Sequence, residues 1–268
     1  MRGRIASVNV LSRKACREIL CLCFDFVAMT TSETASETKG LSERFEDVRR
    51  RVSLAAERAS RSPSEITLIA ISKTHPPEVM REALNLGVTD LGENRVQEAE
   101  PKVEQLGRKA ARWHLVGHLQ ANKARRAVSI FDCIHSLDSP SLAERLDRHC
   151  VEEQIESLDV LIQIDLAGEV TKTGIDPRNV PELIDVIKQC ERLRLKGLMI
   201  LPPYFENPEC VRPFFKTLRQ LRDELREKGN FGDSRGELSM GMTHDFEIAI
   251  EEGATMIRVG TAIFGQRA

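Results

Sequence analysis

Aromatic side chains are scarce in this chain: among 268 residues there is one tryptophan and one tyrosine, Tyr204. Chemistry that needs a tyrosine as proton donor or acceptor therefore has a single side chain to draw on. Long apolar runs are missing as well. The best candidate, ILCLCFDFVAM, is shorter than the roughly 20 apolar residues a spanning helix needs, and it carries Asp25. A membrane-spanning protein is not expected. Nor is there an excess of one charge: 39 Lys and Arg face 41 Asp and Glu, which argues against a bulk electrostatic footprint for nucleic acid. The seven cysteines, Cys16, Cys21, Cys23, Cys133, Cys150, Cys190 and Cys210, are odd in number and form no CxxC pair. A disulfide framework and a zinc site are both disfavoured, and reduced thiols in the cytoplasm are expected.

The first forty residues read differently from the rest. MRGRIASVNVLSRKACR has five basic residues and no acidic one, as transit peptides do. TTSETASETKG, after Met29, is polar and Ser/Thr-rich, as a disordered lead-in would be. Met29 could itself begin a shorter protein. Residues 1–40 are read as a disordered or over-called extension, and 41–268 as one folded domain.

From Leu41 the pattern alternates. A charged amphipathic helix, SERFEDVRRRVSLAAERAS, precedes eight short apolar strands: EITLIAISK, TDLGEN, RWHLVGH, CIHSLD, DVLIQIDL, RLKGLMIL, ELSMGM and MIRVGTAIFG. Segments with helical spacing, most with Gly near the end, separate them. Strands alternating with helices imply right-handed βαβ units and a parallel sheet. Eight of them predict a closed (β/α)8 barrel, with the helix over 41–60 capping it or packing outside. In such barrels the strands' C-terminal ends assemble the site. That rim is expected to gather Lys73, Asn94, His118, Ser136, Met199, Ser239, Arg258, Gly260 and Thr261.

LIAISKTHPP is the most informative stretch, because an apolar strand delivers Lys73 to the rim just before a His-Pro-Pro break. A lysine there can simply reach solvent. Partial desolvation, however, favours a neutral amine, and the neutral amine is the form that attacks an aldehyde. In IRVGTAIFG, Gly260 permits close approach of an anion and Thr261 offers a hydroxyl and an N–H at a recurrent phosphate position. Amine and phosphate cradle together fit pyridoxal 5′-phosphate (PLP). Arg258, between Ile257 and Val259, would point inward by strand alternation. There it would donate to a pyridine nitrogen without ever accepting. Ser239 is a candidate for phosphate oxygen. Thr243 and Asp245 are read as caps of the next helix. His114 and His118 lie four apart, but on a strand running into a loop, so no metal site is assigned. Lys123, Arg125 and Arg126 read as a solvated helix face.

IAISKTHP, LGENRVQE, WHLVGHLQANKAR, HSLDS, VLIQIDLAGEVTKTGI, LKGLMILPP and LSMGMTHDFEIAIEEGATMIRVGTAIFG together resemble the YggS/PROSC family of pyridoxal phosphate homeostasis proteins, over about residues 42–267. The resemblance implies a barrel like the N-terminal domain of alanine racemase, with PLP held as a Schiff base on Lys73. It further implies that Ser239, Gly260 and Thr261 contact the phosphate, that Arg258 approaches the pyridine nitrogen and that Asn94 lies beside the cofactor. It places the protein in vitamin B6 homeostasis as a carrier or buffer, with PLP-dependent apo-enzymes as partners and no established reaction. The alternative is a PLP-dependent racemase or lyase; a third possibility is an interaction protein that signals cofactor occupancy. With Tyr204 the one tyrosine, and the chain ending at Ala268 directly after the last strand, efficient racemisation is not expected. A monomer is expected, with a dimer as the alternative.

Overall fold

The computed structural model describes residues 40–168 and 173–266; the reading of the N-terminal extension falls outside them up to residue 39. The eight expected strands form, and they close. β1 (Thr67–Ile71), β2 (Asp90–Glu93), β3 (Arg112–Leu115), β4 (Cys133–Leu137), β5 (Leu158–Ile164), β6 (Leu193–Ile200), β7 (Glu237–Met242) and β8 (Met256–Val259) pair in chain order. The seam is the parallel pair β8–β1, with Leu68 opposite Ile257 and Ile69 opposite Arg258. Helices α2 (Pro77–Asn85), α3 (Val96–Leu106), α4 (Ala124–Ile130), α5 (Pro140–Glu152), α6 (Val180–Gln189), α7 (Arg212–Glu227) and α8 (Phe246–Glu251) follow the first seven strands.

Strand alternation sorts the side chains into two cores. Ile69, Ile71, Val116, Cys133, Leu161, Met199 and Met256 make a small apolar cluster inside the barrel. Ala70, Ile257 and Val259 point the other way, into the larger layer between sheet and helices. Arg258, between those last two, is consequently turned inward and is 3% exposed.

β8 is followed by a helix of four residues, α9 (Thr261–Phe264), too short to cover the seam. The place is taken by α1 (Leu41–Arg58), which packs outside the barrel against α8, α9 and α2. Its Leu41, Phe45, Val48, Val52, Ala55 and Ala56 recur at helical spacing and are all buried. Arg44 donates to the carbonyls of Ile263 at 2.8 Å and Phe264 at 3.2 Å, satisfying acceptors that the end of a helix leaves open. Arg51 and Arg58 pair with Glu247 and Glu251 on α8.

If α1 supplies the missing outer helix, Phe45→Ala should cost about 3 kcal/mol through the cavity it leaves. Arg49→Ala, which removes an exposed pair with Glu46, should stay within about 0.5 kcal/mol. Urea unfolding of both variants measures the difference.

Candidate functional site

β1 and β2 end in matched pairs of residues, Ser72-Lys73 and Glu93-Asn94. In each pair the first faces the helix layer and the second lines a cavity at the C-terminal mouth. The outward pair is locked. Ser72 Oγ donates to Glu93 Oε1 at 2.7 Å, and Lys102 of α3 donates to the same oxygen at 2.6 Å and to the Ser72 carbonyl at 2.7 Å. Glu93 is wholly buried. Burial pushes its carboxyl above the ordinary range, and Lys102 and Ser72 oppose that shift. The brace fixes where the two inward residues begin. Directly after Lys73, Thr74 has φ of 67°, a left-handed conformation that costs a β-branched residue of order 1–3 kcal/mol. The turn is closed by the His75 N–H donating to the Ser72 carbonyl at 3.1 Å.

The cavity encloses about 310 Å³. Lys73, Asn94, Arg258, Gly260 and Thr261 all line it, joined by His75, Thr243 and His244. Gly117, also in the wall, is needed there: a Cβ would lie 2.2 Å from the Asn94 carbonyl oxygen, so only glycine lets the end of β3 approach Asn94. At Gly260 a Cβ would sit 3.3 Å from the Ile71 carbonyl oxygen.

Arg258 closes the floor. Nη2 donates to the Ile200 carbonyl at 2.8 Å and Nη1 to Ser239 Oγ at 2.6 Å; Nε makes no hydrogen bond among the described residues and is left for the cavity. Burial draws the guanidinium's pKa down to about 10, against the nearby charge of Asp245, so it stays cationic at neutral pH. Below it, Ser239 Oγ lies 2.8 Å from His135 Nδ1. His135 Nε2 lies 2.9 Å from His114 Nδ1, and His114 Nε2 lies 2.9 Å from Asp90 Oδ1. Thr89 Oγ1 donates to the other Asp90 oxygen at 2.7 Å. Burial lowers the pKa of both histidines, that of His135 well below the usual range. Burial resists ionisation of Asp90 too, but hydrogen bonds from His114 and Thr89 outweigh it and hold its pKa below the ordinary value. His114, Cys133 and His135 bring possible metal-ligand atoms within 4.8 Å of one another. All four imidazole nitrogens are nevertheless engaged in this chain of bonds, and burial pushes the Cys133 thiol upward.

Several expectations need correction. Ser239, Ser136 and Met199 are completely buried and lie beneath the cavity rather than on its wall. Ser239 and Met199 project into the barrel as alternation requires, but at a deeper level than the rim. The Ser239 hydroxyl is already spent on Arg258 and His135. His118 sits outside the cavity in a neighbouring groove, 47% exposed and 3.5 Å from Asp138. Asp245 occupies the position before α8, yet its carboxylate makes no cap bond; it reaches back to accept from the Met242 N–H at 2.6 Å. Thr243 was read as a cap and instead lines the cavity. Arg125 and Arg126 are exposed and paired with Glu153 and Glu100. No spacing in the sequence singles out Asp90 or His135, and His114 stands out only as half of a possible metal pair.

A closed parallel eight-stranded barrel with a lysine at the end of β1 and a buried arginine on β8 defines the class. The profile of the alanine racemase N-terminal domain matches residues 45–268. With curated relatives matching nearly end to end, the chain belongs to the family of pyridoxal phosphate homeostasis proteins. The protein of that name from Aquifex aeolicus is 46% identical over 225 residues, covering 84% of this chain and 97% of its own. The Escherichia coli K12 protein is 41% identical over 223 residues, covering 82% and 94%. PipY of Synechococcus elongatus PCC7942, 39% identical and covered completely by 84% of this chain, superposes with a TM-score of 0.75 without PLP and 0.71 with PLP bound.

The brace behind Lys73 yields a stability prediction. Lys102→Met leaves the buried Glu93 carboxylate without its cation and should cost about 3–5 kcal/mol. Adding Glu93→Gln should recover part of that loss, as measured by urea denaturation of the single and double variants.

Proposed function

We propose that this protein binds PLP reversibly and covalently through Lys73 and takes part in intracellular PLP homeostasis as a carrier or buffer. The observation that carries the reading is the convergence, in one cavity, of a lysine amine and a buried guanidinium with an uncommitted Nε–H. A glycine-threonine turn shares the same wall. The donor set suits a phosphorylated aromatic aldehyde: a nucleophile for the aldehyde, a donor for a ring nitrogen, and hydroxyls and backbone N–H groups for the phosphate. A cavity of this size falls in the range of small-ligand sites.

In this reading Lys73 Nζ bonds to the aldehyde carbon with loss of water, and an incoming amine reverses the attachment by exchange. Thr243, Gly260 and Thr261 hold the phosphate. Arg258 Nε donates to the pyridine nitrogen, and Asn94 packs beside the ring. Ser239, buried under Arg258, contributes by holding that guanidinium in place. When bound, the cofactor supplies an electrophilic carbon that exchanges one amine for another. Membership of the family and the PLP-bound PipY relative support the assignment.

Release of the cofactor to apo-enzymes, rather than turnover, is favoured by the position of Tyr204. It is 77% exposed, packs its ring at a tilt against His244 with centroids 5.3 Å apart, and does not line the cavity. A racemase needs a second acid–base group opposite the lysine. Cys133, Cys150 and Cys190 are free thiols, which supports a reducing compartment such as the cytoplasm. Among the described residues no helix is long and apolar enough to cross a membrane.

Incubation with PLP, borohydride reduction and peptide mapping should place a pyridoxyl group on Lys73, and Lys73→Ala should abolish the adduct. Added amino acids should release PLP stoichiometrically without being converted. A protein that stays unlabelled in PLP sinks the proposal; sustained conversion of an amino acid, lost in Lys73→Ala, replaces the carrier with an enzyme.

A further inference from the structure

The bonds beneath Arg258 have a direction, fixed by their two ends. A guanidinium donates and never accepts, so Ser239 Oγ must accept from Arg258 Nη1 and spend its own proton elsewhere. The acceptor within reach is His135 Nδ1. That leaves the His135 proton on Nε2, pointing at His114 Nδ1, and the His114 proton on Nε2, pointing at Asp90. At the far end an ionised carboxylate accepts and never donates. Protonating either ring would set one N–H against another at 2.9 Å or leave a buried donor unmatched. Every hydrogen bond therefore runs the same way, from the cation on β8 through β7, β4 and β3 to the anion on β2.

Asp90 is not part of the cofactor cavity. It begins β2 and lines a separate cavity of about 570 Å³ at the opposite face, beside Ser64, Thr67 and Gly87. His114, His135 and Ser239 are wholly buried between the two, so the chain is the polar connection through the apolar barrel interior.

We propose that Asp90, His114 and His135 are positioning residues: the Asp90 carboxylate at one mouth of the barrel sets both histidine tautomers, and through them orients Ser239 and Arg258 at the other. Its functional half rests on the PLP reading of the cavity. Removing the Asp90 acceptor frees His114 to carry its proton on Nδ1 and to donate toward His135. His135 then donates to Ser239, which receives two donors and must turn its own proton out of the chain. Arg258 loses the hydrogen-bonding partner geometry that aims its Nε at the cavity.

The test uses the full chain, with heteronuclear NMR of the histidine ring nitrogens in the absence of PLP and titration with PLP in parallel. In the wild type, His114 and His135 should both be neutral with the proton on Nε2. Asp90→Ala should move the His114 proton to Nδ1 and weaken PLP binding about 2- to 30-fold, the range for coupling through such a chain. Asp90→Asn, whose amide oxygen can still accept from His114 while its NH2 faces Thr89, should restore both readouts, which a purely structural defect at this position would not allow. The proposal is overturned by a protonated or Nδ1–H histidine in the wild type, by unchanged tautomers in Asp90→Ala, by a tautomer switch that leaves PLP affinity intact, or by failure of Asp90→Asn to restore. Should Asp90→Ala not fold, the wild-type tautomers and Asp90→Asn decide it. A wild type that shows the expected tautomers and binds no PLP refutes the assigned function while leaving the relay standing.

Discussion

A guanidinium sealed inside the barrel without a carboxylate against it is the constraint on which the rest of this structure depends. Burying an isolated charge is costly unless hydrogen bonds and an opposite charge compensate it. Arg258 is compensated by a carbonyl of β6, by the Ser239 hydroxyl and by the nearby charge of Asp245, and three neutral side chains lead from it to a carboxylate on β2. β1 sits between the two charged ends, with Ile69 in register with Asp90 on one side and Arg258 on the other. A slip of one residue at the seam would turn Arg258 into the helix layer and break the chain. Barrel closure and charge compensation thus specify each other.

The cavity-facing residues depend on a second division of labour, across the sheet rather than along it. Ser72 and Glu93 engage Lys102 behind the strands, while their neighbours Lys73 and Asn94 are left free to face the cavity. A lysine that attaches and releases a ligand, as proposed for Lys73, cannot also serve as a structural ion-pair partner. The fold assigns that task to Lys102 instead. Groups carried on strand ends and locked from behind are held more rigidly than groups on loops. Thr74, left-handed at φ 67°, marks where the rigid strand gives way to the turn.

The fold was legible because its signals are local. Each strand is a short apolar run beside a helix of regular spacing, and the count of eight follows from the runs alone. Lys73, Asn94, Arg258, Gly260 and Thr261 were legible for a related reason: they stand at strand ends, and alternation around Arg258 gives its direction. What escaped is non-local. Asp90, His114, His135 and Ser239 are separated by 24, 21 and 104 residues at successive bonds, and no spacing rule links them. Lys102 looks like any lysine on an amphipathic helix until α3 is laid over Glu93. Ser239 was assigned the right face of its strand but the wrong depth, because alternation tells inside from outside and says nothing of height along the barrel. Thr243 carried a usable signal, standing just past the end of β7 where barrels of this class place ligand contacts, but a helix-capping reading absorbed it.

The chemistry at Arg258 bears on why a cavity built around a reactive aldehyde would hold rather than transform its ligand. A carboxylate facing a pyridine nitrogen favours a protonated, electron-withdrawing ring; a guanidinium can only donate and leaves the ring neutral and less able to accept electrons. The polarity of the buried chain reinforces this, because its negative charge lies at the opposite mouth, with three neutral groups between. Among the described residues no carboxylate is hydrogen-bonded to Arg258, and Ser239 already accepts from it. In the proposed reading, Lys73 keeps its capacity to exchange amines while the ring is kept from stabilising the carbanion that racemisation or decarboxylation would require. In that reading, storage without turnover is favoured by a hydrogen-bonded chain that starts at Arg258 in the cavity floor and ends on a carboxylate at the other side of the barrel.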